Sequence, residues 1–306
     1  MTVAAPGNEA VIRPLEERDA EAVTRILCEA DDTRVLSPAA WLHRRRHRPE
    51  REHGVELGAE LAGVLVGIGA GGLNAWTTTP GASWASVAVR ASHRRRGIGS
   101  LLHERLLDHL RSVAGTNATS FVRWSEESER WARVRGWERV LGGPLIALDP
   151  RNVSEPSAAA GLRCVSMADV DDPRVVYEAT CVAALDEPSA VPNDDIRYED
   201  WLTEWDDPVF DRESSAVVLD GDRVVAFTYM NVSGDRAQHG FTGTLPEYRG
   251  RGLATLAKRR ALATAARKGV TRVTTSNAEQ NAAMRAINRN LGFEPIGEVV
   301  ILSRDL

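Results

Sequence analysis

The chain has 306 residues, 43% of them hydrophobic, and a formal net charge of −5; that length suits two domains of about 150 residues. Residues 1–150 carry 20 basic and 19 acidic side chains, residues 151–306 carry 18 and 24, and this balance excludes general nucleic-acid binding. No run approaches the ~20 apolar residues of a membrane span, the N-terminus lacks the pattern of a secretion signal, and Cys28, Cys164 and Cys181 are widely spaced without metal-ligand pattern, as expected of reduced thiols in a cytoplasmic protein.

The elements repeat. VIRPLEERDAEAVTRIL (11–27) reads as a short strand and a helix. A basic helix end and loop, WLHRRRHRPEREH (41–53), follows. VELGAELAGVLVGIGA (55–70) reads as two strands with a turn at Gly58-Ala59-Glu60, and WASVAV (84–89) as a third strand. That strand runs into a glycine turn, HRRRGIG (93–99), then a helix, the strand SFVRW, a helix ending at Gly136 and the strand PLIAL. Residues 151–160, rich in Pro, Ser and Ala, read as a linker between domains spanning 1–150 and 161–306. The second half repeats the order. GLRCVSMADVDDPRVVYEA gives a strand and helix, with Asp169 or Asp171 as caps. SSAVVLDGDRVVAFTYM gives a hairpin turning at Asp220-Gly221. HGFTGT, the turn RGRGLA (249–254), a helix, RVTTS, a helix ending at Gly292 and VVILS complete it. The expected fold is α/β, with two tandem domains, each a mixed, mostly antiparallel sheet flanked by helices.

The two glycine turns carry the chemistry. A helix N-terminus has unpartnered N–H groups and a partial positive charge. Placed after a strand, with glycine removing side-chain bulk, it receives a pyrophosphate. Gly97 and Gly252 allow close approach, Gly99 and Ala254 keep the next position small, and Arg94, Arg95, Arg96, Arg249 and Arg251 add charge.

The element order and the Arg-x-x-Gly-x-Gly/Ala turn resemble the GNAT superfamily of acyl-CoA-dependent N-acetyltransferases. Arg94-Arg95-Arg96-Gly97-Ile98-Gly99 and Arg249-Gly250-Arg251-Gly252-Leu253-Ala254 both match that family's pyrophosphate signature, and NAEQNAAMRAINRNLGF (277–293) looks like its last helix. The tandem layout is similar to that of mycothiol synthases. The resemblance implies acetyl-CoA as acyl donor, no metal, and a primary amine as acceptor. It places the pantetheine arm along Thr242, Gly243, Thr244 and Leu245 in the second half and along Val87 and Val89 in the first, with Asn281 within reach. A monomer or homodimer without nucleic-acid or membrane partners is expected.

Direct attack of an amine on the thioester needs orientation, oxyanion donors, a base and an acid. The family often uses as acid a Tyr four residues before the Gly of the last helix; here those positions are Asn288 and Ala132. Asn288 remains a hydrogen-bond donor and Ala132 offers nothing, so the second half is the expected catalytic unit, and the first a weak or structural acyl-CoA site. Base candidates are His239 and Gln238, and Tyr229 is a second acid candidate. The loss of Tyr in both halves leaves a non-catalytic acyl-CoA sensor as an alternative, with a mycothiol-synthase-like transferase as another. The segment 186–213 holds eleven acids, two arginines and the tryptophans Trp201 and Trp205. It reads either as a wall attracting a cationic small molecule or as a solvated face with tryptophans turned inward. The basic segment 41–53 reads as an anion site or a solvated helix end.

Overall fold

A computed structural model describes residues 10–154 and 161–306. The N-terminal reading and most of the expected linker lie outside the described residues. The first half contains β1 (Val11–Pro14), α1 (Ala20–Ala30), α2 (Pro38–Arg46), β2 (Val55–Leu61), β3 (Val64–Leu73), β4 (Ala82–Val89), α3 (Ile98–Ser112), β5 (Asn117–Arg123), α4 (Glu126–Val134) and β6 (Glu138–Leu148). The second contains β7 (Arg163–Ser166), α5 (Arg174–Ala184), α6 (Tyr198–Trp205), β8 (Ala216–Asp220), β9 (Arg223–Ser233), β10 (Arg236–Thr244), α7 (Leu253–Arg267), β11 (Arg272–Ser276), α8 (Ala282–Asn290) and β12 (Glu294–Asp305).

The strands form one mixed, mostly antiparallel sheet in the order β1-β2-β3-β4-β5-β12-β6-β11-β10-β9-β8-β7. The terminal strands are exchanged. β12 pairs with β5 of the first half, and β6 with β11 of the second. Val300 and Leu302 thereby enter the core beneath α3, with Leu106, Leu110 and Trp137. Ile146 and Leu148 enter the core beneath α7, with Ala257, Leu262 and Phe293. Each half's core is completed by a strand from the other.

Two local expectations need correction. The β2–β3 turn falls at Ala62 and Gly63, with φ of 51° and 78°, not at residues 58–60. Residues 58–60 lie within β2, and the register shifts by one residue at Ala59/Glu60. α5 begins at Arg174, whose N–H donates to Asp172 Oδ1 at 2.9 Å, so neither Asp169 nor Asp171 caps it.

The two charged segments meet at two ion pairs and one backbone contact. Arg44 Nε donates to Asp207 at 2.5 Å, Arg51 pairs with Asp200, and His43 Nε2 lies 2.8 Å from the Thr203 carbonyl. Arg45 and Arg48 pair with Glu56, and Arg46 with Glu17, so all five arginines of residues 41–53 have carboxylate partners. That segment is not an anion site. Trp201 and Trp205 are buried. Asp200 is itself buried, so removing Arg51 strands a carboxylate away from water. Arg51→Ala is expected to cost about 2–4 kcal/mol, measured as a lower urea midpoint, because a buried charge without its partner is strongly unfavourable.

Candidate functional site

β4 and β5 pair in parallel only through Trp84 and Thr119, and β10 and β11 only through Gln238 and Thr274. Beyond those residues each pair separates, leaving two wedge-shaped openings, each with a glycine turn at its outer end. In the first turn Arg95 and Gly97 adopt left-handed φ of 63° and 81°; in the second Gly250 and Gly252 do so, at 73° and 77°. This kink aims the first N–H groups of α3 and α7 outward, and neither helix has a side-chain cap. A Cβ at Gly97 or Gly252 would meet nothing within 4 Å, so the space before each helix is clear. The turns fit a pyrophosphate in shape and polarity.

The leading arginines have a structural task. Arg94 Nε donates to the Val89 carbonyl at 3.1 Å, and Arg249 Nε to the Thr244 carbonyl at 3.2 Å. Each clamps the turn to the strand that enters it. Their second partners differ. Arg94 reaches Glu127 on α4 at 2.9 Å, across the first opening, whereas Arg249 reaches Asp186 after α5 at 2.5 Å, away from the second.

Further contacts crowd the first opening. A Cβ on Gly99 would lie 3.7 Å from Trp131 Nε1, 3.6 Å from Val89 and 4.0 Å from Val87. Trp131 therefore packs beside the start of α3, close to Val87 and Val89 of β4 where the arm was expected. Arg135 stacks on Trp131 at 4.3 Å and hydrogen-bonds Ser100 of α3. The positions matching Trp131, Arg135 and Ser100 in the second half are Ile287, Leu291 and Thr255, and among the described residues no such latch spans that opening.

β10 also differs from β4 in register. β4 pairs with β3 without interruption from Val89 to Ser83. In β10 the register with β9 shifts between His239 and Thr242, so Gly240 and Phe241 together oppose Tyr229. A bulge leaves its extra residue without a ladder partner and bends the strand. It sits where β10 leaves β11, at the apex of the opening.

The expected site residues divide between the faces of the sheet. His239 is 3% exposed, with both ring nitrogens unpartnered and its ring 6.2 Å from that of Phe293. Burial, aided by the charge of Lys258, holds its pKa well below the usual imidazole value. Asn288 is fully buried; its Nδ2 donates to Asn277 Oδ1 at 2.5 Å and its Oδ1 has no partner. Asn281 caps α8 by accepting from the Met284 N–H at 3.1 Å. Tyr229 lies away from this group. Its hydroxyl meets Thr180 Oγ1 at 2.5 Å and accepts from Trp201 Nε1 at 3.1 Å, and burial raises its pKa. Gln238 alternates with His239 and points to the other face. Thr242 bonds Thr228 at 2.7 Å, Leu245 is buried, and a Cβ on Gly243 would clash with Ala183 and Phe227. Leu253 is core, Ala254 half-buried, Arg251 exposed beside Tyr248, and Arg96 and Ile98 are respectively exposed and buried.

Sequence reasoning missed Lys258. It is 1% exposed, with its ammonium 6.0 Å from the Phe293 ring. Burial lowers its pKa from 10.5 to about 7. The available signal was a charge within the apolar stripe Leu253, Ala257, Ala261, Leu262 and Ala265 of α7. Among the described residues no cluster of His, Cys, Asp or Glu is arranged for a metal, and no helix is long and apolar enough to cross a membrane.

Comparison with known proteins bears on the fold and the family. No curated protein matches the chain. The fold is shared with a tandem GNAT protein from the clavulanic acid biosynthesis pathway, at 22% identity and TM-score 0.73 over 97% of this chain and 98% of the other. A GCN5-related N-acetyltransferase from Sphaerobacter thermophilus aligns at 18% identity and TM-score 0.70 over 97% and 95%. A putative acetyltransferase from Pyrococcus horikoshii aligns at 15% and 0.64 over 100% and 92%. The model of the acetyltransferase (GNAT) family matches twice, over residues 20–137 and 181–293, each match containing one glycine turn. Matched over most of its length and built around both turns, the chain belongs to the GNAT family of acetyltransferases.

Proposed function

We propose that the C-terminal half is the catalytic unit and transfers an acetyl group from acetyl-CoA to a primary amine. The observation that carries this reading is the asymmetry of the two openings. The second has a bulged strand and unpartnered buried polar groups, whereas the first has Trp131 packed beside its turn and is spanned by Arg94–Glu127 and Arg135–Ser100. Acetyl-CoA supplies the activated acetyl thioester. The N–H groups at the start of α7 would hold its pyrophosphate, with Arg251 exposed at the rim. The edge of β10 from Thr242 to Leu245 would align the pantetheine arm. The bulge at Gly240 and Phe241 offers backbone N–H groups where negative charge develops on the carbonyl oxygen.

The acidic segment gives less support to a cationic acceptor than its composition suggests. Asp207 and Asp200 neutralise Arg44 and Arg51, Asp194 accepts from Thr78, and Asp211 and Glu213 bind Lys268. The first half shapes this side of the second. Trp76 from its β3–β4 loop joins the aromatic cluster of Trp201, Phe227 and Tyr229, and its carbonyl accepts from the Asp195 N–H.

A sensing role is the second reading, favoured by the absence of a phenol at both Asn288 and Ala132. Thiol release from acetyl-CoA with a panel of primary amines separates the two. Turnover with at least one amine is expected; tight acetyl-CoA binding without turnover on any of them would favour sensing.

A further inference from the structure

Buried polar groups in proteins are nearly always hydrogen-bonded, yet of three polar side chains around Phe293 in the second half, two have buried atoms without a partner and the third, Lys258, makes no hydrogen bond among the described residues. His239 has two unpartnered nitrogens and Asn288 an unpartnered Oδ1. Lys258 is 1% exposed, and neither a hydrogen bond nor a neighbouring charge offsets its burial. The titratable group facing it is His239 of β10, and the segment after α8 contributes the ring of Phe293, a residue whose N–H donates to the Asn288 carbonyl at 3.1 Å.

The first half shows that this state is not imposed by the fold. His103 of α3 occupies the position of Lys258, and Trp137 that of Phe293. There the indole N–H donates to His103 Nε2 at 2.9 Å, closing the polar group off within the protein. Phe293 has no such donor. The pair is thus satisfied in the latched half and left open in the half without the latch.

The location suits the sulfur of coenzyme A. From Thr244, beside the glycine turn, back to His239 is five residues of strand, ~16 Å at ~3.3 Å each. That span matches an extended pantetheine arm running from a pyrophosphate at Gly252 to a thiol at the bulge.

We propose that Lys258 is the proton donor to the coenzyme A sulfur in the C-terminal half, taking the place of the phenol that position 288 lacks. This rests on the reading that the second opening binds acetyl-CoA. The Lys258 ammonium gives its proton to sulfur as the C–S bond breaks and the C–N bond to the acceptor forms. The acceptor nitrogen then releases a proton that returns through water to the neutral Lys258 amine. The amine hydrogen therefore ends on the thiol, and the lysine is restored.

The test uses coenzyme A itself and needs no acceptor. The thiol of bound coenzyme A is titrated by the ultraviolet absorbance of its thiolate, in wild type and Lys258→Met, with affinity measured by calorimetry on the same samples. The expected result is a thiol pKa lowered by roughly one unit or more in wild type, the effect of a cation within a few ångströms, and loss of that shift in a variant that still binds. An unshifted thiol in wild type, or the same shift in the variant, overturns the assignment. No binding to wild type overturns the cofactor reading and this inference with it. Should Lys258→Met not fold, wild-type affinities for coenzyme A and desulfo-coenzyme A are compared across pH. A ratio that favours coenzyme A increasingly as its thiol ionises supports the pair, and a constant ratio overturns it.

Discussion

Gly252→Glu is expected to abolish coenzyme A binding, while Gly97→Glu leaves it intact. Both residues hold left-handed φ, so each substitution carries a backbone penalty of ~1 kcal/mol. Neither Cβ meets any protein atom, so the strain is the whole structural cost and both variants remain folded. The difference lies in what the cleared space is for. At the start of α7 a carboxylate would occupy the place proposed for the pyrophosphate and repel its charge. A loss on the order of 100-fold in affinity, ~2.7 kcal/mol, is the expected minimum. Calorimetry on the two variants decides it; equal loss in both, or in neither, would sink the placement.

The second large effect concerns stability. Lys258 has a folded pKa of about 7 against an ordinary 10.5. Between those values the unfolded chain binds a proton that the folded chain does not. Stability therefore rises with pH from about 7 upward, with a slope approaching ~1.4 kcal/mol per pH unit. Cys164 works in the opposite direction above pH 9, since burial raises its thiol from 9.0 to about 11. His103, lowered to about 4, acts only below the ordinary imidazole range. The clean window is accordingly pH 7–9. Lys258→Met is expected to flatten the rise and add a few kcal/mol, on the order of 3, at pH 7. Urea unfolding of both proteins at several pH values checks this, and parallel pH profiles would refute it. A lysine that costs this much stability in the half proposed as catalytic, at a position where the other half has a satisfied histidine, agrees with a functional rather than a packing role.

Much of the fold was legible because each half repeats the same local signals. Strand alternation, left-handed glycines at 97, 252, 136 and 292, and the β8–β9 hairpin, whose turn falls at Gly221-Asp222, one residue beyond the expected Asp220-Gly221, are decided within a few residues of chain. The exchange of β6 and β12 was not, because strand partners are chosen by tertiary packing and each strand alone reads only as apolar. The charges of residues 41–53 and 186–213 were visible, but not that they face each other; that is a fact about two segments some 150 residues apart in sequence. The glycine turns read alike as candidate anion sites, because their sequences are nearly equivalent. What distinguishes them is Trp131 on one side and a one-residue bulge on the other, and both depend on register. Lys258 was overlooked because a lone lysine in a helix reads as solvated until the stripe around it is seen to be buried on every side.

The central claim is that one of two similar openings is live. Calorimetric titration of the intact wild-type chain with acetyl-CoA tests it most directly. A stoichiometry of one acetyl-CoA per chain is expected, since Trp131 and the α3–α4 latches crowd the first opening. Two equivalents per chain would contradict the account, showing that the first opening admits the ligand despite them.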